Sequence, residues 1–72
     1  MMTAIRISRH AQQRRKEMGI TEDRIQRALD DPDMTYPTRD DRTCYQREDI
    51  VVVVQNSNSD IVTVLWHGRE HR

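Results

Sequence analysis

Phenylalanine is absent from the chain, tryptophan occurs once and tyrosine twice. A core without large aromatics has to be assembled from Ile, Val, Leu, Met and the single Trp. In 72 residues that is enough to seat helices on a sheet, but not to enclose a large substrate cavity. Chains of this size bury only about 60% of the surface their unfolded form exposes, so stability is marginal. Dimerisation or a bound partner is the natural way to gain more. A single domain over residues 1–72 is expected. Cys44 is the only cysteine, which excludes an internal disulfide and agrees with a reducing compartment. Glycine occurs only at positions 19 and 68, and neither lies in a phosphate-cradling loop or a nucleophile elbow. The longest apolar run, Ile50 to Val54, is about a quarter of what a membrane helix needs. The opening residues lack the apolar stretch of a secretory signal. The expectation is a soluble, cytoplasmic protein with no membrane contact.

Net charge is zero, but its distribution is uneven. Residues 1–29 carry a net of +4, residues 30–49 a net of −4, and the remainder balances. A basic half followed by an acidic segment makes a dipolar surface whose basic side suits phosphate. The plainer alternative is a solvated helix face. The basic groups are eleven Arg and one Lys. That skew suits bidentate phosphate contacts, and a GC-rich genome produces it equally well.

Hydrophobic spacing predicts two helices and then strands. Thr3 to Ile7 alternates around Ile5 and Ile7, as a short strand or an extended lead-in. Ser8 is a good N-cap for a helix from Arg9 to about Met18, and Gly19 suits the position just past its end. Ala11 and Met18, with the stem of Arg15, give that helix a narrow packing stripe. Thr21 caps a second helix, with Glu22 and Asp23 at its positive end and Ile20 and Ile25 placed as a hydrophobic staple. Ile25, Ala28 and Leu29 form its apolar stripe, and Pro32 stops it. Strands are expected at Met34–Tyr36, Thr43–Arg47, Ile50–Gln55 and Ile61–His67, separated by polar turns. Alternation puts Ile61, Thr63, Leu65 and His67 on one face of the last strand, and Val62, Val64 and Trp66 on the other. Helices followed by strands argue for α+β: two N-terminal helices on an antiparallel sheet of three or four strands, in the order ααβββ with an optional short strand in front.

Few constellations here carry chemistry. His10 and Arg14 are four apart and share a helix face, on which Glu17 continues. An imidazole beside a guanidinium can move a proton while the cation steadies a phosphate. The same spacing also describes an ordinary surface His beside a surface Arg. Tyr36, Arg42, Tyr45 and Arg47 offer rings for base stacking and cations for phosphate, or ordinary strand packing. His67 and His71 have no partner cysteine and no zinc-type spacing, so no metal and no other cofactor is expected. Cys44 reads as a small core residue.

Together these segments resemble a known family. Ile7-Ser8-Arg9-His10-Ala11, then Arg14 and Arg15, then Met18-Gly19-Ile20-Thr21-Glu22-Asp23, is similar to the opening of the "domain of unknown function 4258" family. The likeness continues through Ala28 to Pro32, Arg42 to Tyr45 and Ile61 to Val64, and so covers most of the chain. That family is grouped with the RelE/ParE-like toxins and the barnase–EndoU–colicin–RelE ribonuclease fold. The resemblance implies a RelE-like frame and metal-independent RNA cleavage by acid–base chemistry at the 2′-hydroxyl and the scissile phosphate. It places the chemistry on His10, on a cation from Arg14 or Arg42, and on Thr63. Arg9, Arg15, Arg42 and Arg69 are then expected RNA contacts, with Tyr45 and His67 added by their position and not by the motif. The function expected is that of a toxin-like endoribonuclease of a bacterium or phage, with RNA as its substrate and an antitoxin or host protein as partner. The alternative is a catalytically inactive protein-binding module on the same frame, monomeric or homodimeric.

Overall fold

The computed structural model describes residues 6–67. The expectations that fall on residues 3–5, on Arg69 and on His71 lie outside the described residues. In chain order the elements are β1 (Arg6–Ile7), α1 (Arg9–Met18), α2 (Glu22–Asp30), β2 (Met34–Pro37), β3 (Arg42–Arg47), β4 (Ile50–Gln55) and β5 (Asp60–Trp66). The class is α+β, with both helices and the cap residues where the sequence puts them.

Local chemistry explains the helix ends. The Ser8 hydroxyl accepts the N–H of Ala11 at 3.1 Å. At the other end Gly19 adopts a left-handed φ of 73°. The Ile20 N–H there reaches back to the Arg15 carbonyl at 2.8 Å, and the Gly19 N–H to that of Lys16 at 3.2 Å. These two hydrogen bonds close the helix and turn the chain into α2. Thr21 accepts the N–H of Arg24 at 3.2 Å, and Ile20 and Ile25 of the staple are both buried in one cluster.

The sheet departs from the expected three or four antiparallel strands. It has five strands in the order β1-β5-β4-β3-β2, and β1 runs parallel to β5 while the other neighbours are antiparallel. The sheet is therefore mixed. The pairing is short, Arg6 with Asp60 and Ile7 with Ile61, because Ser8 starts α1 immediately afterwards. Parallel strands need a long connection between them. Here everything from α1 to β4 supplies it.

Both helices pack on one face of this sheet. Ala11, Ile20, Ile25 and Ala28 meet Ile50, Val52, Val54, Ile61 and Val64 in one buried cluster. On the opposite face Cys44, Val51 and Val53 form a smaller cluster, with Val62 packed against it. This is why the whole of Ile50–Val54 is buried, as expected for a central strand.

One expectation about β5 is corrected. Val53 pairs with Thr63, but Val54 pairs with Ile61, so Val62 is an extra residue in a β-bulge. The bulge resets the alternation. Ile61 and Val64, both fully buried, end up together on the helix side, while Val62 joins Val53 on the other. Plain period-two counting would have put Ile61 with Thr63 and Val62 with Val64.

Scarcity of glycine shows in the turns. Asp41, Glu48 and Ser59 take left-handed φ values of 61°, 57° and 61° without being glycine. Each sits in a hairpin connection, where the twist of the strands asks for positive φ. Asp tolerates that region better than Glu or Ser does.

Candidate functional site

Helix α1 buries Ala11 and turns Arg9, His10, Gln13, Lys16 and Glu17 to solvent. Arg14 lies half-buried at the rim of that face, four residues on from His10, and reaches Glu17 at 3.8 Å. His10 therefore stands open to solvent on the face that its spacing from Arg14 defines. The first turn of α1 contains no acidic residue, whereas α2 opens with Glu22 and Asp23. Placing Arg9 and His10 at the positive end of a helix dipole opposes the usual preference for anions there.

Most other cations are engaged within the fold. Arg6 pairs with Asp60 at 3.5 Å, Arg27 with Asp23 at 3.5 Å and Arg47 with Asp31 at 3.4 Å. Arg24 bonds to Asp49 at 2.7 Å, which fastens α2 to the β3–β4 turn. Arg15, an expected RNA contact, has an internal role. Its guanidinium donates to Gln12 at 2.9 Å, to the Ile20 carbonyl at 3.2 Å and to Glu22 at 3.1 Å. These bonds brace the α1–α2 corner. Among the described residues, Arg9, Lys16 and Arg39 are the cations with neither an ion pair nor a side-chain hydrogen bond. Two of the three lie on the outer face of α1. Lys16 was not among the expected contacts, although its place two turns beyond Arg9 put both on one stripe.

The remaining expected site residues lie elsewhere. Thr63 faces away from the helices, in register with Val53, which in turn pairs with Cys44 and then with Tyr36 through β3 and β2. Arg42 occupies the same face, two residues from Cys44, and donates to Gln55 at 3.0 Å. Strand spacing puts the backbones of Arg42 and Thr63 about 10 Å apart across the sheet and about 7 Å along it. His67 is exposed just beyond β5. The structure thus keeps His10 and Arg14 on one face of α1, with Arg9 and Lys16 on the adjoining stripe, and leaves Thr63 and Arg42 on the opposite face of the sheet. Tyr45 packs partly buried against the helix-side core, so the ring offered on the open face belongs to Tyr36.

Tyr36 and Cys44 are cross-strand neighbours on that open face. Burial pushes the Cys44 thiol up, and the tyrosine hydroxyl offsets part of the rise. The Tyr36 phenol is also raised, by desolvation first and by the neighbouring sulfur second. The thiol is therefore neutral at physiological pH and a poor nucleophile.

A shallow cleft of ≈ 130 Å³ lies between α2 and the β3–β4 turn, lined by Asp23, Arg24, Arg27, Arg47, Glu48 and Ile50. Its arginines are matched by carboxylates, so it offers no net positive field, and of the cations the sequence offers for phosphate it holds Arg47, paired with Asp31. Among the described residues, no group of three or more His, Cys, Asp or Glu side chains converges as a metal site. No helix there is long and apolar enough to cross a membrane. No family model, curated protein or solved structure matches the chain. What the fold and site define is an α+β domain with a basic, solvent-facing first helix.

Proposed function

We propose that this chain is a toxin-like endoribonuclease domain of a bacterium or phage, and that α1 is the element that meets RNA. The observation that carries this reading is the uncompensated first turn of α1. Arg9 and His10 sit at the positive end of the helix, exposed, with no acidic residue in that turn. Local sequence rules are broken where function demands it, and a phosphate would relieve the charge held there. The family resemblance of Ile7 to Asp23 supports the same residues.

In this reading Arg14, on the face of His10, holds the scissile phosphate, and Arg9 and Lys16 on the adjoining stripe hold neighbouring ones. His10 takes the proton of the 2′-hydroxyl, and the freed 2′-oxygen attacks phosphorus. The bond to the 5′-oxygen breaks, that oxygen gains a proton from water, and the products end in a 2′,3′-cyclic phosphate and a 5′-hydroxyl. Thr63, across the sheet from α1, is assigned no step.

Expression in a bacterial host tests the reading in the cell. Growth arrest by the wild-type chain, relieved by His10→Ala at equal protein level, is the expected result. Arrest that persists in His10→Ala would favour the alternative, a protein-binding module that needs no imidazole. No arrest from the wild-type chain would count against both.

A further inference from the structure

The two ends of the sheet differ in charge. At one end stand the β3–β4 turn, the α1–α2 corner and the link from α2 to β2. Their carboxylates are Glu22, Asp23, Asp31, Asp33, Glu48 and Asp49, and the arginines among them are paired: Arg15 with Glu22, Arg24 with Asp49, Arg27 with Asp23 and Arg47 with Asp31. This end repels phosphate.

The other end collects the start of α1, the β4–β5 turn and the β2–β3 turn. They lie in that order because the strands run β1-β5-β4-β3-β2. Direct bonds join them into one surface. The Ser8 N–H meets the Ile61 carbonyl at 2.9 Å, and the Asn56 N–H meets the Asp41 carbonyl at 3.0 Å. Asn56 Nδ2 donates to the Asp41 carboxylate at 3.3 Å, and Arg6 holds Asp60 at 3.5 Å. Exposed along this surface are Arg9 on one side, Arg39 on the other, and the uncharged Ser57, Asn58 and Ser59 between them, with Asp40 beside Arg39. Arg9 and Arg39 are two of the three cations that the fold leaves unpaired.

We infer that this end of the sheet is an extended binding track for single-stranded RNA, which leaves the first turn of α1, crosses the β4–β5 turn and reaches Arg39. The ligand rests on the ribonuclease reading, and the track goes beyond it. Arg, Ser and Asn side chains all serve as phosphate and sugar contacts, and repulsion at the acidic end keeps the strand from running over α2 instead. Three to four strand spacings of about 4.8 Å lie between the strands that lead to Arg9 and to Arg39, roughly 14–19 Å. At a stacked spacing of about 3.4 Å per nucleotide that is about five nucleotides. Arg39 therefore adds a contact only to a strand long enough to reach it.

Fluorescence anisotropy with 2′-O-methyl oligouridylates of about two and about eight nucleotides, one shorter and one longer than the track, reads binding without cleavage, since the attacking 2′-hydroxyl is blocked. The wild-type chain should hold the long probe more tightly than the short one. Arg39→Ala, with an unchanged circular dichroism spectrum, should lose several-fold on the long probe and nothing on the short. Its slope of log affinity against log salt should be shallower by about 0.7. Asp40→Asn, which removes the carboxylate beside Arg39, should tighten the long probe. Arg27→Ala, at the acidic end, should change neither. Equal binding of the long probe by wild type and Arg39→Ala overturns the track, and so does a loss in Arg27→Ala as large as that in Arg39→Ala. If RNA is cut while Arg39→Ala binds the long probe normally, the track fails and the ribonuclease reading stands. If the dependence on Arg39 is found without cleavage, the track stands and that reading fails. A chain that binds neither probe overturns both.

Discussion

The hydroxyl of Ser8 donates to the carbonyl of Val62 at 3.3 Å while accepting the N–H of Ala11. One side chain therefore joins the start of α1 to the bulge of β5, and the backbone N–H of Ser8 adds a bond to the Ile61 carbonyl at 2.9 Å. The bulge turns Ile61 inward, and Ser8 sets α1 directly against it. The position of His10, two residues into the helix, follows from that junction.

Ser8→Ala removes both the cap and the tether. Loss of an N-cap costs about 1 kcal/mol, and the freed carbonyl adds a further fraction. A midpoint lowered by roughly 4–10 °C is expected in a thermal melt followed by circular dichroism. A melt unchanged within a degree would show that α1 is held by its apolar stripe alone.

Gly19 gives a second handle on the same helix. An added Cβ would meet nothing within 4 Å, so any cost of Gly19→Ala comes from the left-handed backbone and not from a clash. That cost is about 1 kcal/mol, and Gly19→Asn should lose less, because Asn tolerates the conformation. Urea denaturation of the two variants should rank them wild type, Asn, Ala in order of falling midpoint. Equal midpoints for all three would contradict the role given to the cap.

Much of this architecture is legible in the sequence, because its helix signals are local. Ser8, Gly19, Thr21, Ile20 with Ile25, and Pro32 each act within a few residues, so capping chemistry alone marks both helices. The Ile50–Val54 run identifies a strand buried on both sides for the same reason. The bulge is a different matter. Val62 is an ordinary strand residue until its pairing with β4 is known, and pairing is a property of two strands. Position also separated the expected site residues. The spacing of His10 and Arg14 put them on one helix face, which the helix preserves. Thr63 and Arg42 could be joined to them only through the fold, and the fold sets the sheet between them. The internal bonds of Arg15 stay hidden for the same reason, since they depend on where α2 begins.

Cys44 provides a pH test. Burial raises its folded pKa, so the unfolded chain loses the thiol proton first as pH rises. The sign follows from linkage: the stability it contributes is complete below the ordinary thiol value of about 8.5, and is lost as pH climbs through and beyond it. Tyr36, shifted in the same direction, extends the loss to higher pH. Chemical denaturation between about pH 7 and 10 should show falling stability, less steeply in Cys44→Ala once its own packing cost is subtracted. Alkylation by iodoacetamide should be slow at neutral pH and fast in urea. Rapid alkylation of the folded chain would contradict the burial and the raised pKa together.

The most direct measurement is of the RNA itself. End-labelled RNA is incubated with purified chain in EDTA, and the termini of any fragments are identified. Wild-type protein is expected to yield fragments ending in a 2′,3′-cyclic phosphate, and His10→Ala, with an unchanged circular dichroism spectrum, to yield none. Thr63→Val is expected to cut as well as the wild type. RNA left intact by the wild-type chain, or cut equally by His10→Ala, would contradict the assignment of α1 as the catalytic helix.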